Sequence, residues 1–419
     1  MSVSKQQKDI SPGPIISDLQ TELQVKKTQL HWLLQITKAI NYNFSTKQLL
    51  DVYEHVLHSQ LKVGKFALLT KEDTWKCVIL SGTEMGLKEF DMELMLIELN
   101  KLHNLETEHT LWIKTFDTVL PVYHKDQLLA YALVGGVSNS VIPKKNELYS
   151  FIHTISNLIV VAIENNHTAR ERMRQIGIRK ELELAAQMQS MLFPVKLPTS
   201  DKYEIYATYL PHQEVGGDYY DFIHINDKEF IFCMADVSGK GIAAALLMSN
   251  FQANLHALVQ HNYSLIELTR LLNDKVYASA KGEKFITFFI GKYNSQNRQL
   301  HYINAGHNPP FLIHEKVVYM LNEGSTGLGM FDALPFVNQG NVFIPPNAML
   351  HCYTDGVTDV ENEKGKEFGM QRLHDFLTER KQMHNMQKLH KELIDTLSDF
   401  KENKGYTDDI TLMSCWFKA

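Results

Sequence analysis

The stretch 215–241, VGGDYYDFIHINDKEFIFCMADVSGKG, limits what this chain can fold into more than any other. Two half-apolar runs, 215–225 and 229–236, flank Asn226, Asp227 and Lys228, residue types that suit a tight turn and interrupt a strand. Folding the chain back about Asp227 makes an antiparallel hairpin with Asp218 opposite Asp236, since the two stand equally far from the turn. Directly opposed residues of such a pair hold their Cβ atoms roughly 4.5–5.5 Å apart, and like charges there destabilise the sheet. Either a divalent cation bridges the two carboxylates, or a bulge separates them, or both turn to water.

A chain of 419 residues with 44% hydrophobic content can build two or three domains with proper cores, which excludes a disordered protein. A net charge of -6 supplies no basic field, so neither nucleic acid nor an anionic membrane is an expected partner. Cys77, Cys233, Cys352 and Cys415 are widely spaced in apolar contexts, as buried thiols of a reducing cytoplasm would be. No run is read as reaching the roughly 18 apolar residues of a membrane span, and the start, MSVSKQQKDISPGP, lacks the apolar core of a signal peptide. The expected location is cytoplasmic.

Residues 1–16 are polar, with Pro12 and Pro14, and read as a mobile leader. From Asp18 a helical pattern places Leu19, Leu23, Leu30, Leu33 and Leu34 at spacings that suit either a homodimer seam or a helix packed on its own domain. Helices over 46–61 and 92–102, with strands over 66–69, 75–80, 119–123 and 128–134, predict an α/β domain spanning 17–165. This order resembles GAF-type sensor domains in pattern, without a ligand signature. Cys77, His103, His109 and His124 lack metal-ligand spacing. A long helical stretch, 147–191, ends before Pro194, and 166–197 reads as a helical coupler, paired with its copy in a dimer, or as a rigid spacer. Gly177, near its middle, marks a kink or break.

From 198 to 419 the texture changes to β-hairpins with interposed helices. Four acidic positions stand out there: Asp218 after Gly216 and Gly217, Asp236 before Val237, Asp355 before Gly356 at the end of an apolar strand, and Asp408 with Asp409 at the start of another. An all-oxygen donor set suits a hard cation, Mg²⁺ or Mn²⁺, over Zn²⁺. Two such ions about 3.5–4 Å apart activate water and hold a phosphoryl group for in-line attack, with no protein nucleophile. That agrees with the lack of a G-x-S-x-G elbow, an HExxH pair or a Ser-His-Asp set. Three rivals fail. The residue five before Gly239 is Met234, so Gly239-Lys240 is not a Walker loop; the glycines of 324–329 lack a dinucleotide-binding context; and Tyr219-Tyr220 stand where a GGDEF-type cyclase needs an acid.

VGGDYYDF, ADVSGKGIAAALLMS, NAGHNPP, YTDGVTD and TDDITL, in that order, resemble the SpoIIE-like (RsbU-type) branch of the PPM metal-dependent serine/threonine protein phosphatases. The resemblance covers about 181–416. It implies an α+β chain: a PPM-type α-β-β-α sandwich over 198–419, preceded by the GAF-like domain and the helical linker. It also implies two Mn²⁺ or Mg²⁺ ions, with Asp236 bridging both, Asp218 serving one, and Asp355 and Asp408 the other. The Val237 main-chain carbonyl joins them, while Gly217, Gly356 and Asp409 support the ligands; the Asp408-Asp409 pair can be assigned either way round. His307 is a candidate proton donor or a packed turn residue, and Lys240 a phosphate-steering cation or a solvated loop lysine. The implied substrate is phosphoserine or phosphothreonine on a small STAS-type anti-anti-sigma protein. A catalytically inactive sensor or scaffold that sequesters such a partner is the alternative.

Overall fold

A computed structural model describes residues 13–71, 74–83, 116–137, 140, 142, 144–315, 317–382 and 384–419. The predicted helix over 92–102, with His103 and His109, lies outside the described residues. The chain divides into two units, Met1–Ile176 and Gly177–Ala419, at a point inside the stretch 166–197 expected to be a coupler.

In the first unit, α1 (Gly13–Asn41) starts earlier than the sequence suggested, taking in 13–16 of the expected leader. Pro14 is no obstacle there, because the first helical turn has no intrahelical partner for its amides. Ser45 and Gln48 close a capping box on α2 (Thr46–Glu54), which runs on into a π-helical turn, His55–Gln60. Strands β1 (Lys65–Lys71), β2 (Trp75–Ser81), β3 (Thr118–His124) and β4 (Gln127–Gly135) form an antiparallel sheet in the order β2-β1-β4-β3. One core joins Phe66, Leu68, Ala130 and Ala132 to Ile36, Leu49, Leu57 and residues Ile152, Ile155 and Ile159 of α3 (Lys145–Ser190). Inside it the Tyr53 hydroxyl and Ser156 Oγ share a hydrogen bond of 2.6 Å. The helix α3 is continuous through Gly177, so the break suggested there does not form.

The second unit is layered helix, sheet, sheet, helix. Its strands and helices follow as β5 (Tyr203–Leu210), β6 (Tyr219–His224), β7 (Glu229–Val237), α4 (Ile242–Val259), α5 (Leu265–Ala280), β8 (Ile286–Asn294), β9 (Gln299–Ala305), β10 (Phe311–His314), β11 (Val317–Met320), β12 (Gly324–Ser325), β13 (Gly340–Phe343) and β14 (Ala348–Tyr353). The one-turn α6 (Asp355–Thr358), α7 (Gly369–Glu379), α8 (Met386–Lys401) and β15 (Ile410–Phe417) complete it. One sheet runs β12-β9-β8-β7-β6 with β13 on β9, the other β11-β10-β14-β15-β5.

Period-two alternation builds the layers. On β7, Ile231, Cys233 and Ala235 face α4 and α5, whereas Phe230, Phe232 and Met234 meet Leu350, Cys352, Met413 and Cys415 between the sheets. Met349, Tyr353, Ile410 and Leu412 pack outward against α7 and α8. The 18 residues of α4, with mean hydropathy 1.3, are long and apolar enough to cross a membrane by length and composition. This corrects the expectation that no run reaches that length. In this fold Ala244, Leu247, Met248, Phe251 and Leu255 of α4 are buried in the core.

Candidate metal centre

The hairpin closes as its sequence requires. Asn226 turns it, its Oδ1 accepting from the amides of Lys228 and Glu229, and β6 pairs with β7 in the register Tyr219↔Ala235 to His224↔Phe230. Continued by one residue, that register sets Asp218 against Asp236. Asp236, like Met234 and Phe232, points between the sheets, where the opposite sheet ends in Tyr353 and begins again at Ile410. Asp355 therefore emerges at the end of one central strand, and Asp408 and Asp409 stand just before its neighbour. Strand ends of a stiff sandwich bring four sequence-distant segments to one place.

The electrostatics record the convergence. Burial, then the charges of Asp355, Asp408 and Asp409, push the Asp236 carboxyl up to about 7. Burial and Asp236 hold Asp218 well above the usual carboxylate range. Burial, Asp359 and Asp408 raise Asp355. Among the described residues no three His, Cys, Asp or Glu side chains close round a single point as they stand. The carboxylates lie in each other's field without touching a common centre. An all-oxygen set under this repulsion fits a hard divalent cation, whose charge would relieve what the raised carboxyls report.

The supporting residues are arranged for rigidity. Asp218 is buried, and its Oδ2 accepts from Thr354 Oγ1 at 2.7 Å and from Thr411 Oγ1. Thr354 Oγ1 accepts in turn from the Thr411 amide at 3.0 Å. Asp409 is also buried, with both oxygens occupied by main chain: His212 N donates to Oδ1 at 2.7 Å and Gly217 N to Oδ2 at 2.8 Å. Asp408 is half-exposed beside Lys240, whose Nζ lies 2.8 Å from Oδ2. Of the pair, Asp408 is the one that meets Lys240, and Asp409 has its side chain committed to the loop before Asp218. The Val237 carbonyl lies 3.1 Å from where a Cβ on Gly217 would stand, so only glycine leaves that oxygen its space.

His307 follows the end of β9. It is buried, its Nδ1 is 2.9 Å from Thr287 Oγ1, and burial lowers it to about 4, so the ring is neutral near pH 7.

Sequence reasoning missed several partners. Thr354 and Thr411 stand inside the YTDG and DDITL motifs, yet a threonine beside an aspartate carries no signal until the sheets are stacked. Asp221, three residues from Asp218, faces the opposite side of β6. It accepts from the Phe222 amide at 2.7 Å and the Tyr219 hydroxyl, and pairs with His256 Nε2 of α4 at 2.5 Å. At the end of α3, Gln189 bonds Gly216, and Phe193 stacks on Tyr209 with ring centroids 4.9 Å apart.

Residues 226–418 match the family model described as stage II sporulation protein E (SpoIIE). The chain is 25% identical over 357 residues to Protein IcfG of Synechocystis sp., covering 75% of this chain and 55% of that one. To the phosphoserine phosphatase RsbU of Bacillus subtilis it is 32% identical over 220 residues, 51% of this chain and 65% of that one. The chain thus spans between half and two thirds of the length of these relatives. Among solved structures, the SiaA-PP2C domain of Pseudomonas aeruginosa superposes with a TM-score of 0.52 at 19% identity, covering 59% of this chain and 98% of that one. The second unit has the PP2C fold.

Proposed function

We propose, from the match of residues 226–418 to the SpoIIE family model, that this chain is a metal-dependent phosphatase of phosphoserine or phosphothreonine on a signalling protein. The observation that supports it most is the gathering of Asp218, Asp236, Asp355 and Asp408 at the strand ends of one sandwich, where Asp236 raises the proton affinity of Asp218, Asp355 and Asp408 raise that of Asp236, and Asp408 raises that of Asp355. Asp218, Asp236, Asp355, Asp408 and the Val237 carbonyl would hold two Mn²⁺ or Mg²⁺ ions. When bound, these supply a water of lowered pKa and positive charge for the phosphoryl oxygens. The chain's own groups orient that chemistry. Thr354 and Thr411 fix the plane of the Asp218 carboxylate, Asp409 ties down the amide before it, and Gly356 lets the Asp355 turn approach the Asp409 main chain. Lys240, paired with Asp408, would meet a phosphoryl group there. RsbU is named a phosphoserine phosphatase, and a small STAS-type protein is the partner we infer.

Control by the first unit is part of this reading, with a GAF-like sensor signalling through the unbroken α3. Its homodimer would form on α1, where Leu19, Leu23, Leu30 and Leu34 are all exposed. Four leucines at near-heptad spacing suit a second copy of the same helix. Light scattering should give a dimer for the full chain and a monomer for Leu23→Glu/Leu30→Glu; a dimer for both moves the interface elsewhere.

The test of activity is phosphate release from an aryl phosphate with Mn²⁺, comparing the full chain with Asp355→Asn. A fall of at least about a hundredfold is expected for the loss of a charged group acting in the transition state. Equal rates would favour the inactive scaffold.

A further inference from the structure

Lys240 stands in an unusual position for a loop lysine. Its Nζ lies 2.8 Å from Oδ2 of Asp408 and also donates to the carbonyl of Thr407. The other oxygen of Asp408 accepts from the amide of Asp409 at 2.9 Å, so both carboxylate oxygens already have a hydrogen-bond donor. The same ammonium lowers the proton affinity of Asp355, which places it in the field of two of the four acids.

The lysine does not hang from a slack loop. It lies between Gly239 and Gly241, whose φ values of 83° and 76° give the turn a shape that side-chain-bearing residues resist. The turn is pinned to the start of β8: Ser238 N donates to the Phe285 carbonyl and Phe285 N to Ser238 Oγ, both at 2.9 Å. Lys284 Nζ holds the Ser238 carbonyl at 2.8 Å. Two lysines thus flank the turn, one on a carboxylate and one on main chain.

A divalent ion that takes Asp408 as a ligand meets an ammonium ion already on it. We propose that Lys240 is a built-in competitor for the metal at Asp408 and so sets how tightly the centre holds its ion. This rests on the assignment of Asp408 as a ligand. The pair is about a third to a half exposed, 44% for Lys240 and 35% for Asp408. Its contribution therefore belongs to the range of partly solvated ion pairs, about two- to fivefold in an equilibrium constant.

Titration calorimetry of Mn²⁺ into the full chain tests this, with affinity and not turnover as the readout. Lys240→Met, which keeps the length of the side chain and removes its charge, should bind Mn²⁺ about two- to fivefold more tightly. Lys240→Arg should show no gain. Lys284→Met removes the second charge on the same turn, one held by the Ser238 carbonyl, and should show no gain either. In an Asp408→Asn background the Lys240→Met advantage should vanish. Unchanged or weaker binding by Lys240→Met overturns the proposal, and so does an equal gain from Lys284→Met, which would reduce the effect to a general field. If Asp408→Asn alone leaves Mn²⁺ affinity untouched, the ligand assignment itself falls, and the competitor with it.

Discussion

The carboxamide of Gln189 donates to the carbonyl of Gly216 at 2.7 Å and accepts from its amide at 3.1 Å. One side chain at the end of α3 thereby satisfies both polar groups of a buried residue two positions before Asp218. The next amide, that of Gly217, is taken by Asp409. The approach to Asp218 is therefore clamped from two directions, by the helix and by the acid pair ahead of β15. Gln189→Ala leaves a buried donor and acceptor without partners, at a cost of about 1–3 kcal/mol each. Urea unfolding should show a loss of at least about 2 kcal/mol, and Mn²⁺ affinity should fall as the Gly216-Gly217 segment loosens. An affinity that does not change would uncouple the end of the helix from the centre.

How much of this was readable in advance depended on range. The hairpin was legible because turn chemistry at Asn226 and equal spacing about Asp227 fix a register locally, and the register Tyr219↔Ala235 follows from them. The capping box that Ser264 and Glu267 close on α5 is equally local, its two residues standing three apart. What holds Asp218 was not legible, because Thr354 and Thr411 come from the other sheet. Nor was the split between Asp408 and Asp409, neighbours of like chemistry until Gly217 and His212 engage only the second. The start of α1 at Gly13 was hidden by Pro12 and Pro14, which read as helix breakers although a first turn tolerates proline.

Two buried histidines give the second unit a sensitivity to acid. His390 Nδ1 meets Thr208 Oγ1 at 2.9 Å, and its Nε2 meets Ser414 Oγ at 2.8 Å; His351 Nδ1 reaches the same hydroxyl at 2.7 Å. Burial lowers His351 to about 4, and burial with the neighbouring His351 lowers His390 to about 3. Both folded values lie below the ordinary 6.5, so the unfolded chain takes up protons first. Stability is then full above about pH 6.5 and declines as pH falls towards 4. Urea unfolding at pH 7.5 and pH 5.0 should show this decline, with a smaller decrement in His390→Gln. An equal decrement in the variant would place the acid sensitivity on other groups.

Gly217 and Gly356 both border the acidic cluster, but adding a methyl group should act through different routes. At Gly356 the new Cβ would stand 1.9 Å from the main-chain oxygen of Asp409, and backbone cannot swing aside as a side chain would. The turn of Asp355 and the loop of Asp408 must then separate, so Gly356→Ala should cost at least about 3 kcal/mol, the upper range of overpacking. At Gly217 the nearest atom is the Val237 carbonyl oxygen, 3.1 Å away, with Ala244 Cβ at 3.4 Å. A shift of a few tenths of an ångström accommodates it, so Gly217→Ala should fold with a loss of about 1 kcal/mol. The displaced oxygen is the one assigned to the metal. Mn²⁺ affinity should therefore fall in Gly217→Ala by more than its loss of stability accounts for. Should both variants lose stability and affinity in the same proportion, the Val237 carbonyl has no special part in holding the ion.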